Sequence, residues 1–156
     1  MGIELPNDFK EFLRLLNLHR VEYLLVGGYA VGYHGYPRAT NDMDIWIATD
    51  PANARLMVGL LREFGFDLPG LNEELFLTPG NVVRMGHPPM RIEVLNRLSG
   101  VDFSGCFRDR IRVELDGVPV NIIHLDHLKA NKRAAARHKD LDDLEHLPST
   151  RARGGS

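Results

Sequence analysis

The sequence predicts a single α/β domain, on three observations. Helical patterns alternate along the chain with short β-prone runs, a strong turn signal joins two of those runs, and 156 residues is an ordinary length for one hydrophobic core. The domain is expected over residues 1–147, with 148–156, PSTRARGGS, as a disordered tail.

The elements follow in order. Asn7 to His19 carries Phe9, Phe12, Leu13, Leu15, Leu16 and Leu18 at helical spacing, with Asn7 or Asp8 as its cap. EYLLVGG is a β-prone run that stops at glycine, and YAVGYHG after it forms a short helix before the turn at Tyr36 and Pro37. DMDIWIA alternates like a strand, and PANARLMVGLLREFGF reads as a helix with Pro51 in its first turn. Proline and glycine then break the pattern, leaving short strands near Phe76 and over Val82 to Met85. MRIEVLN is a strand, and SGVDFSGCF a connecting loop that could lie over a site. Asp116-Gly117 between two alternating runs predicts a hairpin. LDHLKANKRAAARHKDLDDLEHL is helical, with Asp126 in its early turn and a break near Arg137 and His138.

Composition narrows the function. No apolar run is long enough to span a bilayer and Met1 to Glu11 has no signal-peptide pattern, so a cytoplasmic protein with no membrane partner is expected. The lone Cys106 has no disulfide or CxxC partner and reads as a packing residue. A net charge of −2 argues against a broad polyanion-binding surface but leaves room for a local basic groove. His34, His124, His127 and His138 form no zinc-ligand spacing, GGYAVG lacks the dinucleotide-binding glycine pattern, and no P-loop GK[ST] is present.

Asp42 and Asp44 carry the chemistry. Residues i and i+2 on a strand project to one face, roughly 7 Å apart at the backbone, so the pair aims two carboxylates into one space. Close like charges raise each other's pKa or recruit a cation, and hard oxygen ligands suit Mg²⁺ or Mn²⁺. Glu93 in RIEVL is the candidate third acid, sharing a face with Arg91 and Leu95. Taken alone, an Asp-x-Asp at a strand start reads more readily as a solvated edge or a turn cap. Here it follows a strand, Gly27-Gly28 and helix unit whose backbone N–H groups suit phosphate.

Gly27, Gly28, Asp42 and Asp44 in GGYAVGYHGYPRATNDMDIWI resemble the nucleotidyltransferases of the DNA polymerase beta superfamily, more narrowly the small bacterial subgroup related to abortive-infection toxin–antitoxin nucleotidyltransferases. LKANKRAAARHKDLDDLEHL is similar to the lysine-containing helix and Lys-Asp-x-x-Asp ending of that group. Two positions depart from the pattern: Gly28 stands where more familiar minimal enzymes have serine, and Glu93 where many relatives have aspartate.

The resemblance implies a mixed, mainly antiparallel sheet with helices packed mostly on one face. It implies metal-dependent transfer of a nucleoside monophosphate from an NTP to a hydroxyl on protein or RNA, with Asp42, Asp44 and Glu93 as catalytic metal ligands for Mg²⁺ or Mn²⁺. Gly27, Gly28, Arg38, Thr40 and Lys132 are the nucleotide-binding candidates, although Arg38 also reads as a solvent-facing loop cation and Lys132 as part of a solvated helical face. Two alternatives stand beside this reading: an antitoxin-like partner of a cognate toxin with little or no catalysis, and a metal-dependent phosphohydrolase.

Overall fold

The computed structural model describes residues 2–37, 39–67, 69–87 and 89–149. Arg38 and residues 150–156, most of the expected tail, lie outside the described residues.

The described elements are α1 (Asn7–Leu18), β1 (Tyr23–Val26), α2 (Gly27–His34), β2 (Asp42–Ile47), α3 (Pro51–Phe64), α4 (Glu74–Leu77), β3 (Val82–Met85), β4 (Arg91–Leu95), α5 (Phe103–Arg108), β5 (Ile111–Leu115), β6 (Val118–Ile122), α6 (Leu125–Ala135) and α7 (His138–His146). The six strands form one sheet in the order β3-β4-β2-β1-β6-β5. The pairs β1–β2, β3–β4 and β5–β6 are antiparallel, while β1–β6 and β2–β4 are parallel. This is the mixed, mainly antiparallel sheet that the resemblance implies.

Register decides what each face carries. Side chains paired across neighbouring strands share a face, so Tyr23 and Leu25 of β1 lie with Ile47 and Ile45 of β2, and Met43 and Ile45 lie with Ile92 and Val94 of β4. These residues are almost wholly buried, and with Val118, Val120 and Ile122 of β6 they belong to one apolar core. α1 packs on β6 and on α3, and Phe9, Phe12, Leu13 and Leu16 of α1 join the same core. The opposite face holds Asp42, Asp44 and Glu93 at one end. Toward the other end it carries Trp46, which meets Phe103 of α5 edge-on at 5.1 Å.

Several local expectations hold. Asp116 and Gly117 both take positive φ, 48° and 82°, as a two-residue hairpin turn demands, and join β5 to β6. Pro51 opens α3, whose N-cap Asp50 accepts from the Asn53 N–H at 2.8 Å. Ala136, in the left-handed conformation, ends α6 and sets the break before α7.

Three expectations change. Neither Asn7 nor Asp8 caps α1; Pro6 occupies the cap position, and among the described residues no side chain bonds there. Phe76 lies in the helical turn α4 rather than a strand, where its buried ring anchors the Gly- and Pro-flanked segment. SGVDFSGCF is not all loop: Asp102 accepts from the Gly105 N–H at 3.0 Å and starts α5, a side-chain cap that its Asp-x-x-Gly spacing encodes.

Candidate active site

β2 leaves the core at its N-terminal end with Asp42 and Asp44 on the face opposite Met43 and Ile45. The parallel pairing with β4 sets Asp44 directly beside Glu93. Adjacent strands lie about 4.8 Å apart, so these carboxylates cannot avoid each other. Burial, the charge of Glu93, a hydrogen bond shared with it and the charge of Asp42 push the Asp44 carboxyl up to about 7, with Lys139 opposing in part. A group so perturbed, at the floor of a cleft, is a site where a cation or proton is wanted.

The glycines sit against these acids. Val26 of β1 pairs with Asp44, and the next residue, Gly27, turns the chain into α2 with φ +70°. A Cβ at Gly27 would run into the Asp44 carboxylate, so glycine is required there on two counts, conformation and space. A Cβ at Gly28 would stand 2.8 Å from Thr40 Oγ1 and 3.1 Å from Thr40 Cβ. The side-chain space of residue 28 is thus already filled by Thr40, which gives a physical reason for glycine in place of serine. Thr40 is held by a hydroxyl bond donated to the Asp42 carbonyl at 3.2 Å. Among the described residues no side chain caps the start of α2, leaving its first N–H groups directed along the axis as an anion site requires.

The far wall comes from α6, α7 and the turn after β4. Asn131 donates to the Ser99 carbonyl at 3.0 Å, and Gly100, at φ +79°, packs so closely on Ala130 and Ala134 that a side chain would collide. The result is a cavity of about 550 Å³, a size suited to a small-molecule ligand. Its lining includes Gly27, Gly28, Thr40, Asp42, Asp44 and Glu93, together with Arg97, Lys132, Arg137 and Lys139.

The sequence candidates other than Arg38 therefore line a single cavity, but Lys132 does so with its charge turned away. Its side chain is 4% exposed, and its ammonium lies 3.2 Å from Asp140 Oδ1 and 3.0 Å from Asp143 Oδ2. Asp140 also accepts from Arg137 Nε at 2.7 Å. Burial works to raise the Asp140 pKa, yet the hydrogen bonds from Arg137 and Lys132 hold it down to about 2. The Asp140-x-x-Asp143 spacing, one helical turn, was the available signal for this pairing. Arg97 and Arg84 were not singled out from sequence; Arg84 Nε donates to Glu93 Oε2 at 3.0 Å from the neighbouring edge strand.

The donor set suits a hard divalent cation: carboxylate oxygens, one of them reluctant to stay charged without a counter-ion. Among the described residues, the ligand atoms that converge within 4.8 Å belong to another group, exposed Asp142, Glu145 and His146. There, Asp142 accepts from Tyr36 at 2.9 Å, and the His146 ring stacks on Tyr36. Cys106, as expected, is a buried packing residue, its thiol pushed up to about 11 by burial and by the charges of Asp102 and Asp109. No described helix is long and apolar enough to cross a membrane.

Solved structures share this architecture. The lincosamide antibiotic adenylyltransferase LnuA, in its lincomycin-bound form, superposes with a TM-score of 0.61 at 13% identity, over 94% of this chain and 98% of that one. An antigenic nucleotidyltransferase-like protein from Paracoccidioides brasiliensis gives 0.54 at 19% identity, over 88% and 72%. The antibiotic-resistance factor ANT(2'')-Ia gives 0.57 at 9% identity, over 88% and 79%. No family model matches the sequence, and no curated protein matches it significantly. With its six-stranded sheet order, its glycine turn and its acid-bearing strand, the chain has the nucleotidyltransferase fold.

Proposed function

We propose that the protein is a metal-dependent nucleotidyltransferase that moves a nucleoside monophosphate from an NTP to a hydroxyl on protein or RNA. The observation that carries this reading is the shared cavity: Asp42, Asp44 and Glu93 on one wall, and Gly27-Gly28 at the helix start beside them. The fold shared with LnuA, an adenylyltransferase, supports it.

In this reading Asp42, Asp44 and Glu93 would hold Mg²⁺ or Mn²⁺, which would polarise the α-phosphate and offset charge on the departing pyrophosphate. The chain's own groups do the rest. The backbone N–H groups of Gly27 and Gly28 and the start of α2 hold phosphate oxygens, with Thr40 beside them. Arg38 is proposed as a further phosphate contact, and Arg97, Arg137 and Lys139 supply positive charge on the far wall. Lys132 contributes from behind, tying α6 to α7 through Asp140 and Asp143. The acceptor oxygen attacks the α-phosphorus, the bond to the pyrophosphate oxygen breaks, and a Glu93 carboxylate oxygen takes the acceptor's proton.

The test is incubation with each α-labelled NTP, Mg²⁺ and a cell extract as acceptor. Label transferred to protein or RNA by the wild type, and lost in Asp42→Ala and Asp44→Ala variants, is expected. Transfer that survives loss of both aspartates refutes the mechanism. Release of inorganic phosphate with no labelled acceptor identifies a phosphohydrolase, and capture of a toxin-like partner without label supports the antitoxin-like alternative.

A further inference from the structure

Glu93 already has a cation. Arg84 lies opposite it across the β3–β4 pair, and the guanidinium Nε reaches Glu93 Oε2 at 3.0 Å. The partners differ in exposure: the Arg84 side chain is 60% exposed and that of Glu93 19%. β3 is an edge strand of the sheet, and the mostly exposed arginine has a path to solvent. Asp44 stands on the other side of Glu93, in register on β2. The glutamate thus sits between an acid that repels it and an arginine that it can release.

We propose that Arg84 is an exchangeable counter-ion for the third acid, displaced when a divalent cation enters, and that it thereby sets the metal affinity of the cavity. This rests on the metal-binding reading above. An exposed ion pair is weak and readily broken, whereas a multidentate divalent site between three carboxylates is not, so the exchange runs toward the metal. Neutralising Glu93 in the meantime also limits the like-charge repulsion that an empty acid cluster suffers.

The experiment is Mn²⁺ titration by isothermal calorimetry at low ionic strength, with no nucleotide and no turnover required. Arg84→Gln is expected to bind Mn²⁺ about two- to five-fold more tightly than the wild type, the range that an exposed ion pair commands. Arg84→Lys, which keeps a competing cation, is expected to stay near wild type. Arg55→Gln serves as the control for bulk charge, since Arg55 is exposed on α3 and is not among the residues lining the cavity. The gain in Arg84→Gln should shrink as salt is added. Unchanged or weaker binding in Arg84→Gln overturns the proposal, as does an equal gain in Arg55→Gln. Wild-type protein that binds no Mn²⁺, or binds it equally well after Asp44→Asn, overturns the metal site itself and Arg84's role with it.

Discussion

Replacing Lys132 by methionine removes one charge from a buried cluster and leaves the hydrocarbon volume. The ammonium stands within 3.2 Å of Asp140 and 3.0 Å of Asp143, whose side chains are 1% and 0% exposed. Asp140 keeps its bonds to Arg137, while Asp143 loses its 3.0 Å contact with the ammonium. Breaking one side of a buried ion pair costs about 3–5 kcal/mol. For a chain of this size, a loss of 1 kcal/mol lowers Tm by roughly 2–4 °C, which gives a drop of about 6–20 °C. Thermal unfolding followed by circular dichroism at pH 7 measures it. The double variant Lys132→Met with Asp143→Asn should recover part of the loss, because it removes the carboxylate charge that faced the ammonium along with the ammonium itself. A Lys132→Met protein that melts within about 3 °C of wild type yet no longer binds nucleotide would refute the structural role and return Lys132 to the phosphate.

Other outcomes follow from the same geometry. Gly27→Ala is expected to lose about 1–2 kcal/mol from its positive φ alone, and to abolish calorimetric Mn²⁺ binding because the methyl displaces the Asp44 carboxylate. Asp44 should betray its function through pH: its folded pKa, about 7, lies above the ordinary 3.8, so its ionisation lowers stability as pH rises from about 4 through 7. In divalent-free buffer, Asp44→Asn should therefore melt above wild type at pH 8 and level with it near pH 4, while Mn²⁺ at pH 8 should raise the Tm of the wild type only. Asp140 has the reverse sign. Its folded pKa of about 2 is depressed, so its contribution, about 2 kcal/mol, is present above pH 3.8 and lost as pH falls through 2; acid titration of wild type against Asp140→Asn checks it.

What the sequence showed and what it hid divides along physical lines. Asp42, Asp44 and Glu93 were legible because strand periodicity fixes which residues share a face, and each strand was readable from its own alternation. The parallel pairing of β2 with β4, which sets Asp44 beside Glu93, depends on long-range register that no local pattern encodes. The same limit hid Arg84, whose meaning comes from lying opposite Glu93 across the β3–β4 pair. Lys132 looked like a member of a solvated basic face because KANKR is locally polar. Only the fold of α7 against α6 brings Asp140 and Asp143 to it and buries the charge. Phe76 misled for a simpler reason: a short apolar run between breakers fits a strand or a helical turn equally well.

The central claim is that divalent ions and a triphosphate meet between the β2 acids and the Gly27-Gly28 turn. Crystals grown with Mn²⁺ and a non-hydrolysable NTP analogue, measured at the manganese absorption edge, test it directly. The account predicts anomalous density coordinated by Asp42, Asp44 and Glu93, with the triphosphate running along the start of α2. Density confined to Asp142, Glu145 and His146, or a nucleotide bound away from the glycine turn, would contradict it.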